Sequence, residues 1–339
     1  MMKNILIAET DRIGDVVLSL PVFKSIKQAH SRIILTALVR KYTEGIFRNF
    51  PYVDKVISFS DLSIRSERER LREEIRERNF DAALMLHPEY KMARIIYQTG
   101  IQKRISYGWK WYQYLFSQVQ IQHRSQNTRH QLEYNLELLK LINIHKKRTD
   151  IVLKPVKEDL NFIHKILKEQ KLLKKKLIGL HPGSGHSSLN LPPDKYIELI
   201  EKIRRNFKDC EILLTGNEKE KSLIEHIAYN TKVSLHPMPL NLSLSHLIAL
   251  ISRMNVFISN STGPMHIASA LRTPVVAFFS PVFVHSPMRW GPYWGKRLVV
   301  KPEVECREYW KCRMKHCLWY NCFQNLDFRN VIDFIRTVK

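Results

Sequence analysis

Short apolar runs alternate with stretches of helical period along this chain, and the alternation starts twice. In the first half, residues 3–8 read as a strand with NILIA at its heart, and a polar loop spans residues 9–15. Residues 16–29 then follow a helical period, and Pro21 predicts a kink there. Apolar runs at 33–39, 55–59 and 81–86 predict three more strands, with a short helix near 42–49 and a highly charged one at 66–78. Leu132, Leu136, Leu139 and Ile142 place an amphipathic helix over 131–142. This order is that of a doubly wound α/β domain.

Residues 146–157 read as a linker, ending in a Pro-bearing extended piece before a helix at 159–170. The plan then restarts with a strand at 177–181, the loop PGSGHSSLNLPP at 182–193, a helix at 194–206, a strand at 211–215 and helices at 218–229 and 244–254. The most informative stretch is 256–281, VFISNSTGPMHIASALRTPVVAFFSP. It reads as a strand, a turn of small polar residues from Asn260 to Gly263, a helix opened by Pro264, and a second buried strand. A helix N-terminus following a strand offers free N–H groups and a positive dipole end, which suits a phosphate; an ordinary capped helix gives the same local pattern. Residues 328–339 predict a last helix.

A chain of 339 residues is long enough for two domains, and 44% hydrophobic residues make it globular. The net charge of +23 favours a polyanionic partner: nucleic acid, an anionic membrane surface or a phosphorylated substrate. The N-terminal apolar run is short for a signal peptide, and no run approaches the roughly 18 apolar residues of a membrane span, so a cytoplasmic protein, free or peripheral, is expected. Residues 100–131 interleave bases with aromatics, including Lys103, Arg104, Lys110, Trp111 and Arg124. That mixture suits single-stranded nucleic acid, a phosphorylated sugar, a membrane interface or a half-buried sheet edge. The alternating signs of 66–78 read as a solvated face.

Asp15 stands where a loop enters a helix, after Gly14. A carboxylate so placed serves as a general base for an alcohol or as a helix cap, and Asp11 is the reserve candidate. The loops at 183–188 and 260–263 carry glycine and hydroxyl residues suited to a pyrophosphate, without matching the P-loop or GxGxxG patterns. No D-x-D pair occurs, so a metal-bridged diphosphate site lacks its usual ligands. Cys306, Cys312, Cys317 and Cys322 are spaced unlike C-x2-C zinc sites and read as reduced thiols in a local aromatic cluster; a structural metal is the alternative.

Four motifs in order, DRIGDVVLSLP (11–21), HPGSG (181–185), LTGNEKE (214–220) and NSTGPMHIASAL (260–271), resemble the bacterial lipopolysaccharide heptosyltransferases, glycosyltransferase family 9. The resemblance covers nearly the whole chain. It implies a GT-B fold: an acceptor domain at 1–155, a nucleotide-sugar domain at 156–325, both Rossmann-like and facing a cleft, and a helix at 326–339 packing back toward the first. The reaction implied is inverting, metal-independent transfer of heptose from ADP-heptose to a lipid A–Kdo or heptosylated core acceptor, at the inner face of the inner membrane. No cofactor and no nucleic acid is implied. Asp15 takes the place of the base. Arg12, Gly14, Lys103, Arg104 and Lys110 fall to the acceptor. Ser184, Ser187, Ser188, Thr215, Gly216, Glu218, Leu242, Ser261, Thr262, Gly263 and His266 fall to the donor. The chain departs from the family pattern at Leu189, where a base is usual, and at Ser261, where Asp is usual. A family member moving another sugar, or an idle sugar-nucleotide binder, are the alternatives.

Overall fold

The structure is a computed structural model that describes residues 2–108, 111–145, 147–184, 189–313, 316–317 and 322–338. It divides between Ile151 and Val152 into two compact units. The first contains β1 (Asn4–Ala8), α1 (Ile13–Ala29), β2 (Ile34–Arg40), β3 (Lys55–Phe59), α2 (Arg65–Glu77), β4 (Ala82–Met85), α3 (Tyr90–Gln98), β5 (Lys103–Tyr107), β6 (Gln118–Gln120) and α4 (Gln131–Glu137). The second contains α5 (Lys157–Glu169), β7 (Lys176–His181), α6 (Pro193–Asn206), β8 (Cys210–Leu214), α7 (Lys221–Asn230), β9 (His236–Pro237), α8 (Leu244–Ile251), β10 (Val256–Asn260), α9 (Gly263–Ala270), β11 (Val275–Phe278), α10 (Pro287–Trp290), β12 (Arg297–Val300) and α11 (Arg329–Val338).

Both units carry a six-stranded parallel sheet of the same topology. The orders are β3-β2-β1-β4-β5-β6 and β12-β11-β10-β7-β8-β9. In each, the second and third strands lie to one side of the first, and the fourth to sixth lie to the other. A crevice therefore opens beyond the strand ends where the order reverses, between β1 and β4 and between β7 and β10. The central strands are buried on both faces, which is why they read as continuous apolar runs rather than alternating ones.

The first unit holds three elements that the apolar pattern did not mark. α3 is a short amphipathic helix whose Met92, Ala93, Ile95 and Ile96 are buried. β5 and β6 form the sheet edge inside the stretch of bases and aromatics at 100–131. α1 starts at Ile13, so Asp15 is already in its first turn. It also runs unbroken through Pro21. A proline inside a helix costs about 3 kcal/mol, and the burial of most side chains from Val16 to Ile26 offsets that cost.

In the second unit Val331, Ile332 and Ile335 of α11 join a core with Tyr196, Leu199 and Ile203 of α6. α11 belongs to the second unit, where its apolar stripe fills that unit's core. Among the described residues, no helix is long and apolar enough to cross a membrane.

Candidate active site

In the second unit, the loops beyond β7 and β10 are tied together by one residue. Asn260, fully buried at the end of β10, donates from Nδ2 to Pro182 O at 2.6 Å and accepts from Leu191 N–H at 2.9 Å. Its amide thus satisfies both ends of the loop that leaves β7, across the switch point. Ser259 Oγ lies 3.0 Å from Thr262 Oγ1, and the buried Thr262 is the extended residue that opens α9. Gly263 and Pro264 follow, so the N-terminus of α9 points the positive end of its dipole out of the sheet. His266 is buried in the same helix.

The end of β7 meets the end of β8 through His181 and Thr215. The Thr215 hydroxyl donates to Leu180 O at 3.0 Å, so His181 Nδ1–H donates to Thr215 Oγ1 at 3.1 Å and Nε2 carries the lone pair. Burial lowers the His181 pKa to about 4, so the ring is neutral at physiological pH. Its Nε2 lies 3.9 Å from Glu220 Oε2, beyond hydrogen-bond reach. Glu220 fills the space under the β7 loop. A Cβ on Gly183 would stand 1.8 Å from Glu220 Oε1, so any larger residue there would displace the Glu220 carboxylate from under the loop.

In the first unit, the crevice between β1 and β4 collects acids. Asp15 is half-buried at the N-terminus of α1, where the dipole favours negative charge. Asp11 N–H donates to Glu9 Oε1 at 3.2 Å, and Asp11 Oδ2 lies 3.3 Å from Nδ1 of His87, in the loop after β4. Glu9 is buried, and its pKa stands well above the ordinary carboxylate range. Burial is the main cause, then the charge of Asp15; the Asp11 amide and the Arg124 cation pull the other way. Arg124 is itself buried, 3.1 Å from the centre of the Tyr107 ring, with Nε donating to Gln122 Oε1 at 2.6 Å. The crevice therefore holds one protonatable buried acid, two more accessible carboxylates, an imidazole and a guanidinium. That set can take a proton from a hydroxyl and hold an anion.

Several residues singled out in the sequence are placed differently. Arg12 is exposed at the helix entrance, with its carbonyl accepting the first helical bond from Val16, and Gly14 is buried inside α1. Lys103 is half-buried on β5. Arg104 spends its guanidinium on the carbonyls of Leu115, Ile101 and Gln102 and lies over the Tyr97 ring, so it braces the sheet edge rather than presenting charge. Lys110, Ser187 and Ser188 lie outside the described residues. Ser184, Gly216 and Ser261 are half-buried in the loops beyond β7, β8 and β10. Glu218 is exposed in the turn Glu218–Glu220, and Leu242 is half-buried just before α8. Leu189, at the position where the family usually has a base, packs against the second unit's core. His87, Glu9 and Glu220 were not singled out. His87 reaches its site only through the pairing of β4 with β1, whereas Glu9 and Glu220 sit within stretches already read as site loops and motifs.

Cys306, Cys312, Cys317 and Cys322 are all half-buried in the second unit. Burial, with the nearby thiols of Cys312, Cys306 and Cys317, pushes the Cys322 thiol up to about 11, which favours thiol over thiolate. Among the described residues, no group of three or more His, Cys, Asp or Glu side chains is arranged to hold a metal ion.

Comparison with known proteins gives consistent results. The profile of glycosyltransferase family 9 (heptosyltransferase) matches residues 68–318. A Haemophilus influenzae protein provisionally named a glycosyltransferase is 28% identical over 303 residues, spanning 86% of each chain. Lipopolysaccharide heptosyltransferase 1 of Campylobacter coli is 26% identical over 295 residues, spanning 81% of this chain and 83% of the relative. Among solved structures, the E. coli ADP-heptose lps heptosyltransferase II superposes with a TM-score of 0.80 at 18% identity, covering 99% of this chain and 98% of its own. That likeness gives the chain the GT-B fold, two Rossmann-like α/β units in one polypeptide.

Proposed function

Because the chain belongs to glycosyltransferase family 9, the heptosyltransferases, we propose that it transfers heptose from ADP-heptose to a lipopolysaccharide core acceptor, with inversion and without a metal. The observation that carries the reading is Asp15, held in the first turn of α1 at the switch point of the first sheet. The acceptor hydroxyl is far too weak an acid to ionise at neutral pH. Its proton passes to the Asp15 carboxylate as its oxygen attacks the anomeric carbon, and the ADP oxygen leaves with the bonding pair. Attack from the face opposite the leaving group inverts the centre. Burial favours the acid form of Glu9, which makes it a weaker base than its ordinary carboxylate and leaves Asp15 as the candidate for the role.

The leaving diphosphate carries its growing charge to the N-terminus of α9, where the backbone N–H groups and the positive end of the helix dipole face it. This arrangement needs no cation at position 189, where Leu189 packs into the core. It also fits the absence of any D-x-D pair in the sequence. The Asn260 staple fixes the two donor loops in advance, which lowers the ordering cost of binding. The acceptor's negative groups face a first unit whose buried Arg124 and strongly basic chain attract them. Transfer at the cytoplasmic face of the inner membrane, by a peripheral enzyme, follows from a lipid-linked acceptor.

A thermal-shift panel in EDTA tests the donor assignment. ADP at saturating concentration should raise the melting temperature more than UDP or GDP does, since a ligand that binds only the native state stabilises it by mass action. Equal shifts for the three nucleotides, or a shift that needs added magnesium or manganese, would overturn it.

A further inference from the structure

The charges of α2 are sorted by face. Arg70 pairs with Glu67 at 3.0 Å and Glu74 at 2.8 Å, Arg78 with Glu74 at 2.7 Å, and Arg76 with Glu73 at 3.0 Å. Arg65, Arg68 and Arg72 follow at i, i+3 and i+7 along the face that meets α3; Arg72 also reaches Glu73 at 3.4 Å, and Arg68 donates to the carbonyls of Leu62 and Ser63 at 2.8 and 2.7 Å. There α3 presents Lys91 and Arg94, also three apart. The two helices share a buried seam, with Leu71 and Ile75 against Met92, Ile95 and Ile96. Above that seam an open groove of about 580 Å³ is lined by these five cations and a single carboxylate, Glu69, which pairs with Arg65 at 2.7 Å.

Among the described residues, neither Lys91 nor Arg94 has an ion-pair or hydrogen-bond partner. Gathering like charges in one groove is unfavourable unless an anion occupies it. The groove's rim is apolar and exposed. Tyr90 lines it and packs against Trp111 with ring centres 4.8 Å apart and planes tilted by 36°, and Trp111 is 72% exposed. Cations beside an exposed indole match the two layers of a bilayer interface, phosphate outside and the interfacial layer beneath.

We infer that the α2–α3 groove is the docking surface of this protein on an anionic lipid bilayer, with the cations on lipid phosphates and Trp111 in the interfacial layer. The surface is separate from the residues assigned to transfer chemistry, and the inference stands whether or not that assignment holds. It also reassigns the charged helix, whose alternating signs in sequence suggested only a solvated face.

Co-sedimentation with vesicles tests it. One set is phosphatidylcholine alone, the other phosphatidylcholine with about 30% phosphatidylglycerol. The wild type should bind the anionic vesicles and leave the neutral ones. Arg68→Gln/Arg72→Gln/Arg94→Gln should weaken that binding on the order of a hundredfold, at roughly fivefold per cation near a charged surface. The control Arg70→Gln/Arg76→Gln/Arg78→Gln removes the same charge from residues outside the groove and should lose at most a few-fold. Trp111→Ala should weaken binding at high salt, where screening leaves the apolar contact. All these positions are at least partly exposed, and far-ultraviolet circular dichroism verifies that each variant is folded. Transfer to a short water-soluble acceptor should be equal in every variant, so failure here is distinguishable from failure of the enzymatic reading. Equal losses in the two triple variants would reduce the effect to net charge and overturn the inference. So would indifference to phosphatidylglycerol, or a groove variant that keeps vesicle binding while losing a gel shift with RNA.

Discussion

Acidification should loosen the second unit through His181, and by an amount that its burial sets. The ring titrates near 6.5 in the unfolded chain and at about 4 in the fold, with burial as the cause. Between those values the unfolded chain binds a proton that the native state refuses. Stability therefore rises with pH through that window and is flat above it. The full difference, about 2.5 units at 1.36 kcal/mol each, is about 3 kcal/mol. By about pH 5 the loss relative to about pH 7.5 should be about 2 kcal/mol. Hydrogen–deuterium exchange of the Thr215 amide, which is bonded to Leu180 O at 2.8 Å, reads the opening free energy of this unit alone. The same measurement on His181→Gln cancels every other titrating group. The wild type should lose about 2 kcal/mol more than the variant over that pH range. Equal losses in the two proteins would refute the reasoning, and His181 would then be charged or solvated in the fold.

Glu9 gives the opposite sign. Burial favours its acid form in the fold, so stability is lost as pH rises above the ordinary carboxylate range, and the margin by which Glu9→Gln melts above the wild type should grow as the pH rises from that range. A margin that shrinks with pH would contradict the buried neutral acid. Asn260→Ala strands the Pro182 carbonyl and the Leu191 amide, and should cost about 2–5 kcal/mol in thermal denaturation, with a weaker ADP shift. A loss under about 0.5 kcal/mol, the scale of a neutral surface substitution, would show that the staple is dispensable.

The repeating strand–loop–helix plan was legible because both sheets are parallel and buried on both faces, so their strands are short unbroken apolar runs. The helix opening at Gly263 was legible from its small residues and Pro264. What the sequence hid is what distant pairing creates. His87 reaches Asp11 only because β4 lies beside β1, and Asn260 staples residues 182 and 191 only because β10 lies beside β7. Within LTGNEKE the motif could not say which acid turns inward: the capping geometry at Asn217 brings Glu220 back under the loop and leaves Glu218 in solvent. The basic, aromatic stretch 100–131 became the β5–β6 edge, with Arg104 bonded to its own carbonyls, while Arg124 from the same stretch went inward. Neither outcome has a local signature. The sorting of cations onto one face of α2 was invisible in its alternating signs, because α3, a short helix that the apolar pattern did not mark, supplies the other wall.

The most direct test of the central claim is ADP release from ADP-heptose in the presence of EDTA, with and without a lipid A–Kdo acceptor, by the wild type and by Asp15→Asn. The wild type should release ADP only when the acceptor is present, and the product should carry one added heptose with inverted anomeric configuration. Asp15→Asn keeps the shape of the side chain and removes the base, so turnover should fall by about 10²–10⁴-fold while the ADP thermal shift is unchanged. Acceptor-dependent release that survives in Asp15→Asn within a few-fold, or no acceptor-dependent release by the folded wild type, would contradict the account.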